Sequence, residues 1–187
     1  GGSSDANFAQ GTGIFLQTGG STDRNALSGT GFLHQSGGTA GRTDAEVGNS
    51  TLYLSGGQSG RVTAGQGTKI SIWASDFSGS DLAPDATGQA TYNLDDLSAF
   101  TSDLSNFINL TFNVTWQDGL TSSFFVSLNR GTKFESQTWT GTLSLYDTDT
   151  FAVGSTSPLT PVPEPRVYGL IFLALIGAYV IWKRRSI

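Results

Sequence analysis

Apolar and polar residues alternate along most of this chain. Ile108, Leu110, Phe112, Val114 and Trp116 are interleaved with Asn109, Thr111, Asn113 and Thr115. A second run, Leu120 to Asn129, carries Phe124, Val126 and Leu128 on one face. Period-two alternation marks a strand with one buried face, so these runs predict a hairpin. The pattern also selects its loop. A tight turn at Asp118-Gly119 sets Phe112 against Phe125 but Val114 against Ser123, which mixes the faces, because a one-residue slip inverts a strand. A loop of Gln117, Asp118 and Gly119 instead pairs Phe112 with Phe124, Leu110 with Val126 and Ile108 with Leu128. It also puts Gly119 at the left-handed position that closes such loops.

Other segments follow the same reasoning. Thr68 to Ser75 predicts a strand with Ile70, Ile72 and Ala74 on one face and Lys69, Ser71, Trp73 and Ser75 on the other. Residues 76–88 read as a loop and Ala90 to Asn93 as a short strand. Leu97, Phe100, Leu104 and Phe107 recur at steps of three and four, which predicts a helix over Leu94 to Phe107. Trp139 to Tyr146 predicts a strand with Trp139, Leu143 and Leu145 inward, turned by Asp147–Asp149 into Thr150–Val153. Gly1 to Asn7 is polar and is expected to fray.

The first third of the chain repeats. Residues 11–24 align with residues 29–42 without a gap, at an offset of 18 and with seven of fourteen positions identical. A third copy, Leu52 to Arg61, follows at an offset of 19. Each copy reads as a short apolar strand, a Gly-Gly turn and, a few residues later, an Arg. Such spacing fits stacked β-rungs. It fits equally well three strand–turn units of an antiparallel sandwich. The Gln-Thr/Ser-Gly-Gly phrase resembles rungs of β-helical bacterial surface proteins. The expected fold is therefore an all-β exported domain over residues 1–153, a β-sandwich or jelly-roll-like arrangement, with residues 11–61 as units of it or as short β-helix-like rungs.

Residues 154–165 are rich in Gly, Ser, Thr and Pro and read as a linker. Val167 to Trp182 is then apolar for 16 residues without a charge. As a helix it spans roughly 24 Å, slightly less than the hydrocarbon core of about 30 Å. Snorkelling of Lys183 and Arg184, and Tyr168, Tyr179 and Trp182 at the interfaces, make up the difference. Residues 166–183 therefore predict one transmembrane helix. Lys183, Arg184 and Arg185 orient it, placing the tail, residues 184–187, in the cytoplasm and everything before Pro165 outside. Ala174, Gly177 and Ala178 form a small-residue face suited to contact with other membrane helices.

Pro163-Glu164-Pro165, a single apolar span and a terminal basic cluster together resemble the PEP-CTERM sorting signal of Gram-negative bacteria, with Lys183 as a mild departure from an all-Arg cluster. The resemblance covers residues 162–187. It implies an exosortase-type processing protease as a partner, export through the periplasm, and release to a cell surface rich in exopolysaccharide.

Composition supports export. The chain has no Met, which is expected if an N-terminal signal peptide has been removed. It has no Cys, so disulfides, thiolate metal sites and cysteine nucleophiles are excluded. Residues 1–161 hold six basic and fourteen acidic groups, a net of −8, while residues 162–187 hold four basic and one acidic, a net of +3. The acidic outer domain repels nucleic-acid phosphates, so no nucleic-acid partner is expected.

The chemistry-bearing residues are sparse. His34 is the only histidine and aligns with Leu16 and Tyr53 of the neighbouring repeats, which predicts a strand residue and not a catalytic base. Asp147, Asp149, Asp95 and Asp96 suit turns better than a calcium site, since no EF-hand spacing is present. Trp116 and Trp139 fall on inferred core faces. Trp73 lies opposite Ile70 and Ile72, and is the expected exposed aromatic and candidate ligand contact. No catalytic residue, metal or cofactor is assigned. The expectation is a non-enzymatic surface or matrix structural protein with membrane lipid as a partner. The alternatives are a single-pass accessory subunit of a membrane complex and an exopolysaccharide-binding module.

Overall fold

The structure, a computed structural model, describes residues 2–93, 97, 107–129 and 140–151. Among them are nine strands: β1 (Ser3–Ala9), β2 (Ile14–Ser28), β3 (Phe32–Val47), β4 (Thr51–Ala64), β5 (Lys69–Ala74), β6 (Gln89–Asn93), β7 (Phe107–Thr115), β8 (Thr121–Asn129) and β9 (Thr142–Asp147). They form one sheet in the order β1-β2-β3-β4-β5-β9-β6, which branches at β4, where β8 also pairs and carries β7.

The first five strands pair in parallel, each with the next. Ile14 pairs with Phe32, Phe32 with Thr51 and Thr51 with Lys69, steps of 18, 19 and 18 residues. The repeat offsets are thus the rung lengths of a solenoid-like stack. This corrects the sandwich reading of residues 11–61. Alternation tells which face a residue takes; it says nothing of which strand lies beside it or in which direction. The stack also extends past the three recognised copies. Residues 3–9, expected to fray as far as Asn7, pair with the second half of β2. Beyond the third copy, β5 and then β9 continue the parallel series.

The Gly-Gly dipeptides bend strands instead of ending them. β2, β3 and β4 each run through their dipeptide, with register slips around Thr18 and Ser36. Each strand therefore has a first leg (14–18, 32–36, 51–55) and a second leg (21–28, 39–47, 58–64). At the corner the second glycine is left-handed, with φ of 75° at Gly38 and 80° at Gly57. Rungs stack so closely there that a Cβ on Gly38 would sit 2.7 Å from the Gly20 carbonyl oxygen. Only glycine meets both demands.

In-register stacking turns the interior into columns. Leu33, Leu52, Ile70 and Leu143 are successive partners on the first leg. Leu27, Ala45, Ala64 and Leu128 are successive partners on the second. All eight belong to one buried cluster. Two columns change character along the stack. Gln17 and Gln35 give way to Leu54, Ile72 and Leu145, and Asn7, Asn25 and Thr43 give way to Val62 and Val126. The interior thus passes from amide to hydrocarbon.

The hairpin has the register read from the sequence: Phe112 pairs with Phe124, Leu110 with Val126 and Ile108 with Leu128. Trp116 and Leu120 close the loop and Gly119 is left-handed, at a φ of 80°. Antiparallel pairing thus holds for β7–β8 and for β6–β9. Ser75, at the end of the expected strand, and residues 76–81 of the expected loop line the outer edge of β7. Ser75 N–H donates to Thr115 O at 2.8 Å, Ser80 Oγ to Asn113 O at 2.9 Å, and Asp81 N–H to Thr111 O at 2.9 Å. That covers an edge otherwise open to further pairing. Of the expected helix over Leu94–Phe107, Leu97 is buried, Phe107 opens β7 as a strand residue, and the rest lies outside the described residues.

The corner geometry gives a paired prediction. Gly38→Ala, which forces a left-handed Ala against the rung below, is expected to cost about 2–4 kcal/mol. Gly19→Ala, with open space around it, is expected to be close to neutral. Urea unfolding followed by far-UV circular dichroism checks both, and equal costs would contradict the corner assignment.

Candidate functional site

The sorting-motif residues Pro163, Glu164 and Pro165, the interfacial Tyr168, Tyr179 and Trp182, and the basic Lys183, Arg184 and Arg185 lie outside the described residues. So do Trp139, Asp95 and Asp96. Among the described residues no helix is long and apolar enough to cross a membrane.

Trp73 is on the face predicted for it, opposite Ile70 and Ile72, but it is not exposed. Its relative accessibility is 7%. Tyr53 of the preceding rung stacks against it with centroids 5.6 Å apart, and Tyr146, its partner in β9, stacks at 4.0 Å. Phe151 meets it edge-on at 5.9 Å, and His34 continues the column edge-on to Tyr53 at 4.6 Å. The two faces that a sugar ring would stack on are occupied by neighbouring rungs. One strand's alternation could not show this, because the aromatic neighbours come from 20 and 73 residues away along the chain. The Trp73 indole N–H is buried without a hydrogen-bond partner.

His34 is a strand residue in register with Leu16 and Tyr53, as its place in the repeat predicts. Its Nε2 lies 2.8 Å from Ser55 Oγ. Burial lowers its pKa from the ordinary 6.5, because the charged form is poorly solvated there. Asp147 organises a turn: its Oδ1 accepts from Asp149 N–H at 2.9 Å and its Oδ2 from Thr150 Oγ1 at 2.7 Å. Among the described residues there is no group of three or more His, Asp or Glu placed to hold a metal ion.

The repeated glutamine and arginine have roles that the sequence did not reveal. Gln17 Nε2 donates to Thr39 O at 3.2 Å and Gln35 Nε2 to Gln58 O at 3.0 Å, each tying one corner to the next. In the third copy Leu54 replaces the glutamine, and Trp116 Nε1 donates to Gly57 O at 2.8 Å instead. Arg24, Arg42 and Arg61 stand in one column. Between the first two lies Asp44, whose side chain is 2% accessible and whose Oδ2 accepts from Nε of both Arg24 and Arg42 at 2.6 Å. The arginine spacing was visible in the repeat. Asp44 was not, since Ala26 and Thr63 are its equivalents in neighbouring rungs.

Comparison with family profiles, with curated proteins and with solved structures gives no match. Gln17, Gln35 and Asp44 join one rung to the next, while Asp76, Asp85, Asp118 and Asp147 close local turns.

Two predictions follow from these contacts. Asp44→Ala removes the shared acceptor but leaves two guanidinium groups that reach water, so it is expected to cost about 1–2 kcal/mol, measured by urea unfolding. Because the folded state lowers the His34 pKa, the unfolded chain binds the proton more readily below pH 6.5. Stability that is full above that pH is expected to fall as pH drops through the lowered folded value. His34→Phe should remove this component, and an unchanged pH profile for the variant would refute it.

Proposed function

We propose that this chain is a non-catalytic β-solenoid displayed at the surface or in the matrix of a bacterial cell, and delivered there by its C-terminal segment. The observation that carries the reading is the order of that segment: Pro163-Glu164-Pro165, 16 apolar residues, then Lys183, Arg184 and Arg185. Lys183, Arg184 and Arg185 directly after the apolar run support the orientation, with everything before Pro165 outside and the basic end in the cytoplasm. The partners are membrane lipid and a processing protease of the exosortase type. The stack supports the structural half of the reading. Gln17, Gln35, Trp116 and Asp44 use their hydrogen bonds to hold successive rungs together. Trp73, with both ring faces covered, lends no weight to an exopolysaccharide-binding role.

The intact mass of native protein from the producing cells tests the proposal. A chain ending within Pro163–Arg166 is the expected result. A chain that retains residues 166–187 would overturn sorting and processing, and would make the segment a lasting anchor of an accessory subunit.

A further inference from the structure

The outer face of the second leg carries a file of cations that ends on an aromatic ring. Arg24, Arg42 and Arg61 are successive partners in β2, β3 and β4, and Phe125 of β8 is the next partner after Arg61. Paired residues in a sheet share a face, so these four side chains stand in line, about 4.8 Å apart from strand to strand and roughly 14 Å end to end. The Phe125 ring is 56% accessible, and the Arg24 and Arg42 side chains 43% and 45%. Residues 1–161 hold six basic residues against fourteen acidic ones, and half of the six stand in this file.

The stack holds the arginines in place. Asp44 Oδ2 accepts from Nε of both Arg24 and Arg42, and Ser127 Oγ accepts from an Nη of Arg61 at 3.3 Å. Packing does not demand a carboxylate at residue 44, since Ala26 and Thr63 fill the same column in the neighbouring rungs. A buried carboxylate is costly unless it is paired. What Asp44 achieves is to fix two guanidinium groups side by side, so little side-chain freedom is lost when they meet an anion. Asp23, next to Arg24, has Gly41 and Gly60 as its equivalents next to Arg42 and Arg61. The positive charge is therefore least offset over Arg42 and Arg61, on the side of Phe125.

We propose that this face binds a polysaccharide bearing carboxylate groups, laid along the stack across Arg42, Arg61 and Phe125. A guanidinium pairs with a carboxylate through two parallel hydrogen bonds, and an exposed aromatic ring offers a flat apolar face to a sugar ring. One rung, about 4.8 Å, advances by close to the length of one pyranose unit, so carboxylates on successive sugars meet successive arginines. Nucleic acid fits less well. A duplex carries one charge per about 1.7 Å, far denser than one guanidinium per rung, and a domain of net −8 over residues 1–161 repels the surplus. An acidic peptide pairs with the arginines but brings no sugar ring to Phe125. The binding needs only the stack, so it is independent of whether residues 166–187 are removed.

Binding of the full chain, in a non-ionic detergent, to immobilised polygalacturonate tests the proposal. The salt is set at about 0.15 M, where exposed charges more than about 8 Å apart are largely screened. Binding to polygalacturonate is expected, and none to neutral dextran. Arg61→Gln and Phe125→Ser are each expected to weaken it about tenfold, with far-UV circular dichroism unchanged because both side chains are exposed. Lys69→Gln removes an exposed cation of the first leg and is expected to change affinity by less than about twofold. A loss for Lys69→Gln as large as that for Arg61→Gln would mean attraction by overall charge alone and would overturn the proposal. Failure of the unaltered chain to bind polygalacturonate, or equal binding to polyglutamate or single-stranded DNA, would also overturn it. These last comparisons stand even if a variant fails to fold.

Discussion

Parallel, in-register stacking at about 4.8 Å per rung is the constraint on which the rest of this domain depends. Along β2, β3 and β4 it makes paired residues neighbours of their equivalents 18 or 19 positions away. A corner that is tight in one rung is tight in all, so Gly20, Gly38 and Gly57 share a left-handed backbone. A side chain that bonds across one corner bonds across the next, which explains why Gln17 and Gln35 recur. Where the repeat loses its glutamine at Leu54, the donor arrives from the hairpin as Trp116.

Stacking also decides how buried polar groups are tolerated. Asn25 and Gln35 are 0% and 1% accessible, which would be costly without partners. Asn25 accepts from Asn7 at 3.1 Å and donates to Gln17 at 2.7 Å, and Gln35 accepts from Ser59 at 2.9 Å. These amides occupy the N-terminal rungs. Toward the C-terminal rungs the same columns become Leu, Ile and Val, and the hairpin adds Phe112 and Phe124, stacked at 5.8 Å. These two columns are therefore held by hydrogen bonds toward one end and by buried hydrocarbon toward the other, beside apolar columns that run through both. The outer face follows the same rule, with Asp44 set between stacked arginines and Trp73 between stacked tyrosines.

Much of this was legible in advance. The hairpin register followed from facing requirements alone, because only one loop length keeps Phe112, Leu110 and Ile108 on the face of Phe124, Val126 and Leu128. The repeat offset equalled the rung length. The facing of Ile70, Ile72, Leu143 and Leu145 was also plain from alternation. The Gly-Gly dipeptides misled because a turn and a bend share the same residue preference. Residues 3–7 misled because a strand whose pairing comes from a later rung needs no apolar run of its own. Trp73 misled because one strand's pattern shows which face a residue takes but not what covers that face.

Local order alone settled the all-β character, the faces of the strands, the period of the repeat and the pairing of the hairpin. Each of these depends on neighbours within one strand or one loop, or on comparison of one repeat with the next. The folded stack alone decided that the repeats pair in parallel, that Asp44 lies buried between two arginines and that Trp73 is covered. These rest on contacts between residues brought side by side from a rung or more apart, and alternation along a single strand carries no record of them.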